Sequence, residues 1–98
     1  MNDRLEHINS ISWKVNNMNV RVLFFATMRE KAGIKETRLD LPDGMNVADF
    51  KAVLVDHFPG LVAGMPSALV AVNHEFAFDE LLISDGAEIA LFPPVSGG

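Results

Sequence analysis

Only one stretch of this chain repeats its apolar residues at helical spacing over several turns. Val47, Phe50, Val53, Leu54 and Phe58 recur at the intervals that line one face of an α-helix. The other apolar residues fall mainly in short alternating or β-branched runs. A single amphipathic helix can cover one face of one sheet and no more. The expected fold class is therefore α+β in two layers, a mixed sheet with one main helix packed on one face. The opposite face of that sheet must be solvated or offered to a partner.

The strands are read from the remaining runs. Val20 to Ala26 is the first, with Val20, Val22 and Phe24 on one side and Arg21, Leu23 and Phe25 on the other. Arg21 avoids burial, which puts Phe25 on the more exposed face. Thr27 to Ala32 reads as a short helical turn with Thr27 as its N-cap and Gly33 as its stop. Glu36 to Leu41 follows as a strand with Thr37, Leu39 and Leu41 on one face, closed by the turn Pro42-Asp43-Gly44. Asn46 caps the main helix, Asp49 favours its dipole, and Pro59-Gly60 ends it. A loop with Gly64 and Pro66 leads to the strand Ala68 to Asn73. Asn73-His74-Glu75 is a hairpin tip before Phe76-Ala77-Phe78. Asp79-Glu80 and Ser84-Asp85-Gly86 are turns, and Glu88 to Phe92 is the last strand, with Ile89 and Leu91 facing the core. Glu88 shares a side with Phe92, so Phe92 is read as pointing outward. On alternation alone, Phe25 and Phe92 are either partly buried or exposed surface apolars.

The 98 residues suffice for one domain with a modest core and not for two. A net charge of −5 without any dense basic run excludes a nucleic-acid binder. No apolar run approaches the ~20 residues that span a bilayer. The first seventeen residues lack the apolar segment of a signal peptide. With no cysteine there are no disulfides, and the expected location is cytoplasmic. The expected organisation is an extension over 1–17, poorly ordered, a domain over 18–92 and an extended tail over 93–98. Within the extension, Leu5, Ile8 and Ile11 are spaced for one or two helical turns, ahead of Trp13.

Several features carry no chemistry. His7, His57 and His74 are scattered without ligand spacing, so no metal is expected. Asp79-Glu80 is a solvated turn rather than an acid–base pair. Gly60 and Gly64 are not followed by the Lys-Ser or Lys-Thr of a phosphate loop. Arg29 is read as an exposed charge.

The tail is different. Phe92-Pro93-Pro94-Val95-Ser96-Gly97-Gly98 closes the sequence. Pro93 and Pro94 cannot donate to a β-ladder, so pairing stops there, and they favour an extended course away from the body. Gly97 and Gly98 have no side chains and can thread a channel too narrow for other residues. Six extended residues reach roughly 20 Å and end on an unhindered carboxylate.

This tail resembles the C-terminus of the small subunit of molybdopterin synthase. Val22-Leu23-Phe24-Phe25-Ala26 with Arg29-Glu30 and Gly33, Ala71-Val72-Asn73, and Asp85-Gly86-Ala87-Glu88 are similar to the same family. The resemblance runs from about Val20 to Gly98 and leaves out Met1 to Asn17. It implies a ubiquitin-like β-grasp fold and a sulfur carrier of molybdenum cofactor biosynthesis. In that family a ubiquitin-activating-like adenylyltransferase uses ATP to adenylate the terminal carboxylate, here Gly98 after Gly97. A persulfide donor then supplies sulfur to give a thiocarboxylate. The tail, here Pro93, Pro94, Val95 and Ser96 before the glycines, inserts into the large synthase subunit of a heterotetramer. Sulfur passes there to cyclic pyranopterin monophosphate. Residues matching Phe25, Phe76 and Phe92 dock the partners, and the carrier holds no cofactor of its own. Without cysteine, sulfur cannot ride on a thiol of this chain. Other readings of the same tail are a sulfur carrier for thiamine or tungsten cofactor synthesis, a protein modifier joined to lysines, or a plain binding domain.

Overall fold

The computed structural model describes residues 17–94. The segment 1–16 and the tail residues Val95, Ser96, Gly97 and Gly98 lie outside the described residues. Five strands form one mixed sheet in the order β2-β1-β5-β3-β4.

Strand β1 is Asn17–Phe24. It starts earlier than the Val20 expected from the β-branched run, because polar asparagines take part in the pairing. Asn19 donates its backbone N–H to Asp85 Oδ1 at 2.8 Å and its side-chain amide to Asp40 Oδ1 at 2.8 Å. Met18 joins Val20, Val22 and Phe24 on the buried face. Helix α1 is Ala26–Ala32. Its N-cap is Phe25, in extended backbone without a side-chain acceptor. The expectation that Thr27 caps it is corrected, since Thr27 lies one residue inside the helix. Ala26 takes the turn at φ 51°, a left-handed value that non-glycine residues seldom adopt. Gly33, at φ 78°, closes the helix by donating its N–H to Arg29 O.

Strand β2 is Glu36–Pro42, with Leu39 and Leu41 buried. Helix α2 is Val47–His57. Asn46 and Asp49 form a reciprocal capping box: Asp49 N–H donates to Asn46 Oδ1 at 2.8 Å and Asn46 N–H to Asp49 Oδ2 at 3.4 Å. The next donors, Val47 and Ala48, give their N–H groups to the carbonyls of Leu81 and Asp79. Its first-turn donors are thereby satisfied by the box and by the crossover segment after β4. Two 3₁₀ turns, Pro59–Leu61 and Met65–Ser67, occupy what reads in the sequence as plain loop. Their buried members are Leu61 and Met65.

Strands β3, Leu69–Val72, and β4, Glu75–Phe76, form a hairpin. Asn73 and His74 both have positive φ, 52° and 74°, the requirement of a two-residue type I′ turn. Strand β5, Glu88–Phe92, lies between β1 and β3, parallel to the first and antiparallel to the second.

The core lies on one side of the sheet. Val20, Val22, Phe24, Val70, Ile89 and Leu91 from the strands meet Met28, Val47, Phe50, Leu54 and Leu61 in one apolar cluster. Phe24 also meets Phe58 edge to face, with centroids 5.3 Å apart. This cluster places one main helix on one face of a mixed sheet, the two-layer arrangement expected from the sequence pattern, with Met28 of the short α1 added at its edge.

Backbones approach closely where α1 meets the first 3₁₀ turn. A Cβ at position 60 would collide with the carbonyl oxygen of Lys31. At position 64 it would meet the flexible end of the Lys31 side chain and Met28 Sδ at ordinary distances. Gly60→Ala is expected to cost about 2 kcal/mol, a fall of roughly 10 °C in melting temperature, and Gly64→Ala much less. Asn46→Ala is expected to cost about 1 kcal/mol through loss of the cap. Thermal melts of the three variants check these outcomes.

Candidate functional site

The sheet face away from α2 carries Arg21 and Leu23 from β1, Glu88, Ala90 and Phe92 from β5, and Leu69 and Ala71 from β3. No element of the described residues covers it. Its upper half is apolar. The parallel pairing of β1 with β5 sets the C-terminal ends of both strands side by side. Phe25, just past β1, donates its N–H to Leu91 O at 3.0 Å. Its ring stacks on Phe92 with centroids 4.7 Å apart and planes within 7°. Phe76 meets Phe92 edge to face at 6.2 Å. Phe25 is 41% exposed and Phe76 72%. Phe92, between them, is half-buried.

Below the aromatic rings, Ala71 and Ala90 pair across β3 and β5. Their short side chains leave a groove of about 370 Å³, lined also by Leu23 and, toward the hairpin tip, by His74 and Glu88. Leu23, Ala71 and Ala90 are not among the site residues expected from the sequence. Alternation from Arg21 already places Leu23 on this face, but the cross-strand alanine pair requires the register. Phe78, 83% exposed beyond β4, was likewise unmarked. It lies by a second, smaller cleft with Leu69 and Phe76.

The lower half of the face is charged. Arg21 reaches Glu36 on β2 through Nε at 3.2 Å and Nη2 at 3.3 Å, and Glu88 on β5 through Nη1 at 3.1 Å. His74 Nε2 stands 3.5 Å from Glu88 Oε1. Hydrogen bonds from Arg21, then its charge, hold the Glu36 carboxyl below its ordinary value, and the same contacts raise Arg21. A depressed carboxylate stabilises the fold at neutral pH and loses that contribution as pH falls through its lowered value. Both side chains remain open to solvent, so the effect is small.

Pro93 follows Phe92 half-buried and Pro94 is exposed. The structure thus brings Phe25, Phe76, Phe92 and Pro93 together where the chain leaves the sheet. Val95, Ser96, Gly97 and Gly98 lie outside the described residues. Among the described residues no group of three or more His, Asp or Glu is placed to hold a metal ion. No described helix is long and apolar enough to cross a membrane.

A mixed five-stranded sheet crossed on one face by one main helix, with its last strand central and leading into the tail, defines a ubiquitin-like β-grasp domain. A ubiquitin-like domain of Arabidopsis thaliana shares this fold at 13% identity and a TM-score of 0.59, covering 85% of this chain and 83% of that one. Residues 22–98 match the model of the ThiS family. The molybdopterin synthase sulfur carrier subunit of Chlamydomonas reinhardtii is 37% identical, over 83% of this chain and the whole of that protein. The crystal structure of small archaeal modifier protein 1 from Haloferax volcanii is similar at 30% identity and a TM-score of 0.72, over 80% of this chain and 99% of that one. The chain belongs to the ThiS family, in company with the molybdopterin synthase sulfur carrier subunits.

Truncating Phe92 removes a half-exposed ring, whereas its neighbour Leu91 is fully buried. Leu91→Ala is expected to cost about 2–5 kcal/mol; Phe92→Ala should cost clearly less. Chemical denaturation of both variants checks the order.

Proposed function

We propose that this chain is the sulfur carrier subunit of a molybdopterin synthase. The observation that carries the reading is the match over the entire length of a relative bearing that role. The aromatic cluster at the base of the tail supports it, because a carrier must present an end group and a surface by which other proteins hold the domain.

In this reading the functional group is the carboxylate of Gly98. A carboxylate is a poor electrophile until one oxygen becomes part of a good leaving group. A ubiquitin-activating-like adenylyltransferase supplies that by forming the mixed anhydride with AMP from ATP. The outer sulfur of a donor persulfide then displaces AMP to give an acyl disulfide, and a second thiol of the donor cleaves its S–S bond, leaving the thiocarboxylate on Gly98 and a disulfide on the donor. The thiocarboxylate sulfur is a far better nucleophile than carboxylate oxygen. The tail inserts into the large synthase subunit and delivers sulfur to cyclic pyranopterin monophosphate. A β-carbon at position 98 would crowd both steps, and Gly97 keeps the approach narrow. The chain supplies no base, metal or oxyanion hole in this scheme. The partners do, and the carrier binds no cofactor itself. Phe25, Phe76 and Phe92 form the docking surface, and Pro93, Pro94, Val95 and Ser96 the stem of the inserted tail. These steps belong to the cytoplasm, where a chain without cysteine needs no oxidising compartment.

A second reading is a protein modifier joined to lysines through Gly98. It draws on the likeness to small archaeal modifier protein 1. Mass spectrometry after incubation with the activating enzyme, ATP and a sulfur donor separates the two. A mass gain equal to the exchange of one oxygen for sulfur supports the carrier; lysine-linked conjugates support the modifier. Deleting Gly98 is expected to abolish sulfur transfer and leave the melting temperature unchanged, and sulfur transfer by the truncated chain would overturn the reading. Phe92→Ala is expected to weaken binding to the large subunit about tenfold or more, a larger loss than its effect on stability, as read by a binding titration beside a melt.

A further inference from the structure

The aromatic half of the exposed face has a polar end whose chemistry is asymmetric. Glu88 projects from β5 into the groove with its side chain 28% exposed. Its Oε2 accepts a hydrogen bond from Arg21 at 3.1 Å. Its Oε1 makes no hydrogen bond among the described residues. The imidazole Nε2 of His74 stands 3.5 Å from it, beyond good hydrogen-bond distance, on a side chain 84% exposed. Arg21 is shared with Glu36, so two carboxylates divide one guanidinium. A half-buried carboxylate oxygen with spare acceptor capacity, at the end of an apolar groove, favours a charge-assisted donor.

We infer that this groove receives a partner segment carrying an apolar side chain and, beside it, a lysine or arginine that bonds Glu88 Oε1 at the hairpin end. The apolar group fills the space over Ala71 and Ala90, between the rings of Phe25, Phe76 and Phe92. The cation displaces the His74 ring and completes the ladder Glu36–Arg21–Glu88 with alternating sign across the sheet. The two contacts have different work: the apolar contact supplies most of the affinity, and the cation fixes which way round the segment lies and raises the rate of encounter with an acidic domain. The inference rests on the proposal that this face docks the large synthase subunit.

The test is a titration of the full chain with the large synthase subunit at several salt concentrations. Glu88→Gln keeps the shape of the groove, and Glu36→Gln removes an equal charge from the same ladder away from it. Glu88→Gln is expected to weaken binding about five- to tenfold and to flatten the salt dependence, while Glu36→Gln changes affinity less than about twofold. Equal affinities for wild type and Glu88→Gln, or equal losses in the two variants, would overturn the inference. Should Glu88→Gln melt early, Glu88→Asp keeps the charge and withdraws the carboxylate by one methylene. It should bind more weakly with a wild-type melt, and undiminished binding would again overturn the inference. Thiocarboxylate formation, followed by mass in parallel, tells the two levels apart. A wild-type chain that neither charges nor binds the large subunit sinks the carrier reading, whereas one that does both, indifferent to Glu88, sinks only the cation subsite.

Discussion

The burial of one helix against one side of the sheet governs everything else in this molecule. Phe50 and Leu54 of α2 share a cluster with Val20, Val22, Ile89 and Leu91 of the central strands, and that burial is the main apolar gain available to a chain this small. An eleven-residue helix leaves nothing over for the other side. The far face therefore keeps its own apolar residues in water. Its aromatic rings manage this partly by covering one another, since the Phe25–Phe92 stack hides area that two separate rings would expose. Such a surface is already arranged before any partner arrives, which reduces the ordering that association must impose.

Much of this was legible in the residues. Period-two alternation in Val20 to Phe25 and Glu88 to Phe92 assigned the faces, because Arg21 and Glu88 cannot be buried unpaired. Helical spacing and Asn46 located α2. The positive-φ turn at Asn73-His74 was legible as a hairpin tip, though a histidine at such a position is not a strong turn signal. The misses have physical causes. Thr27 looked like a cap because its side chain could serve, yet the chain turns one residue earlier, at Ala26. The early start of β1 was hidden because Asn19 owes its place to Asp85 and Asp40, distant partners that no local pattern announces. The groove depends on Ala71 facing Ala90, a fact of register rather than composition.

The candidate site joins two kinds of information. The tail motif was conspicuous as sequence, because paired prolines and paired glycines have strong backbone consequences. The surface at its base was not, because it draws on four separate segments of the chain. Strand order explains their meeting. The last strand inserts between the first and third, so Pro93 and Pro94 leave the sheet from its middle with residues of distant origin around them.

That insertion has a mechanical consequence. Strand β5 is held on both flanks, by β1 in parallel and by β3 in antiparallel register. A force drawn along its C-terminal end runs nearly along the strand and across its ladder bonds. Those bonds share the load in shear and do not open one after another as an edge strand would unzip. A protein that grips this domain by its outer rings and tugs at the chain beyond Pro94 would find it stiff in that direction. The same arrangement that brings Pro93 and Pro94 out of the sheet also anchors them.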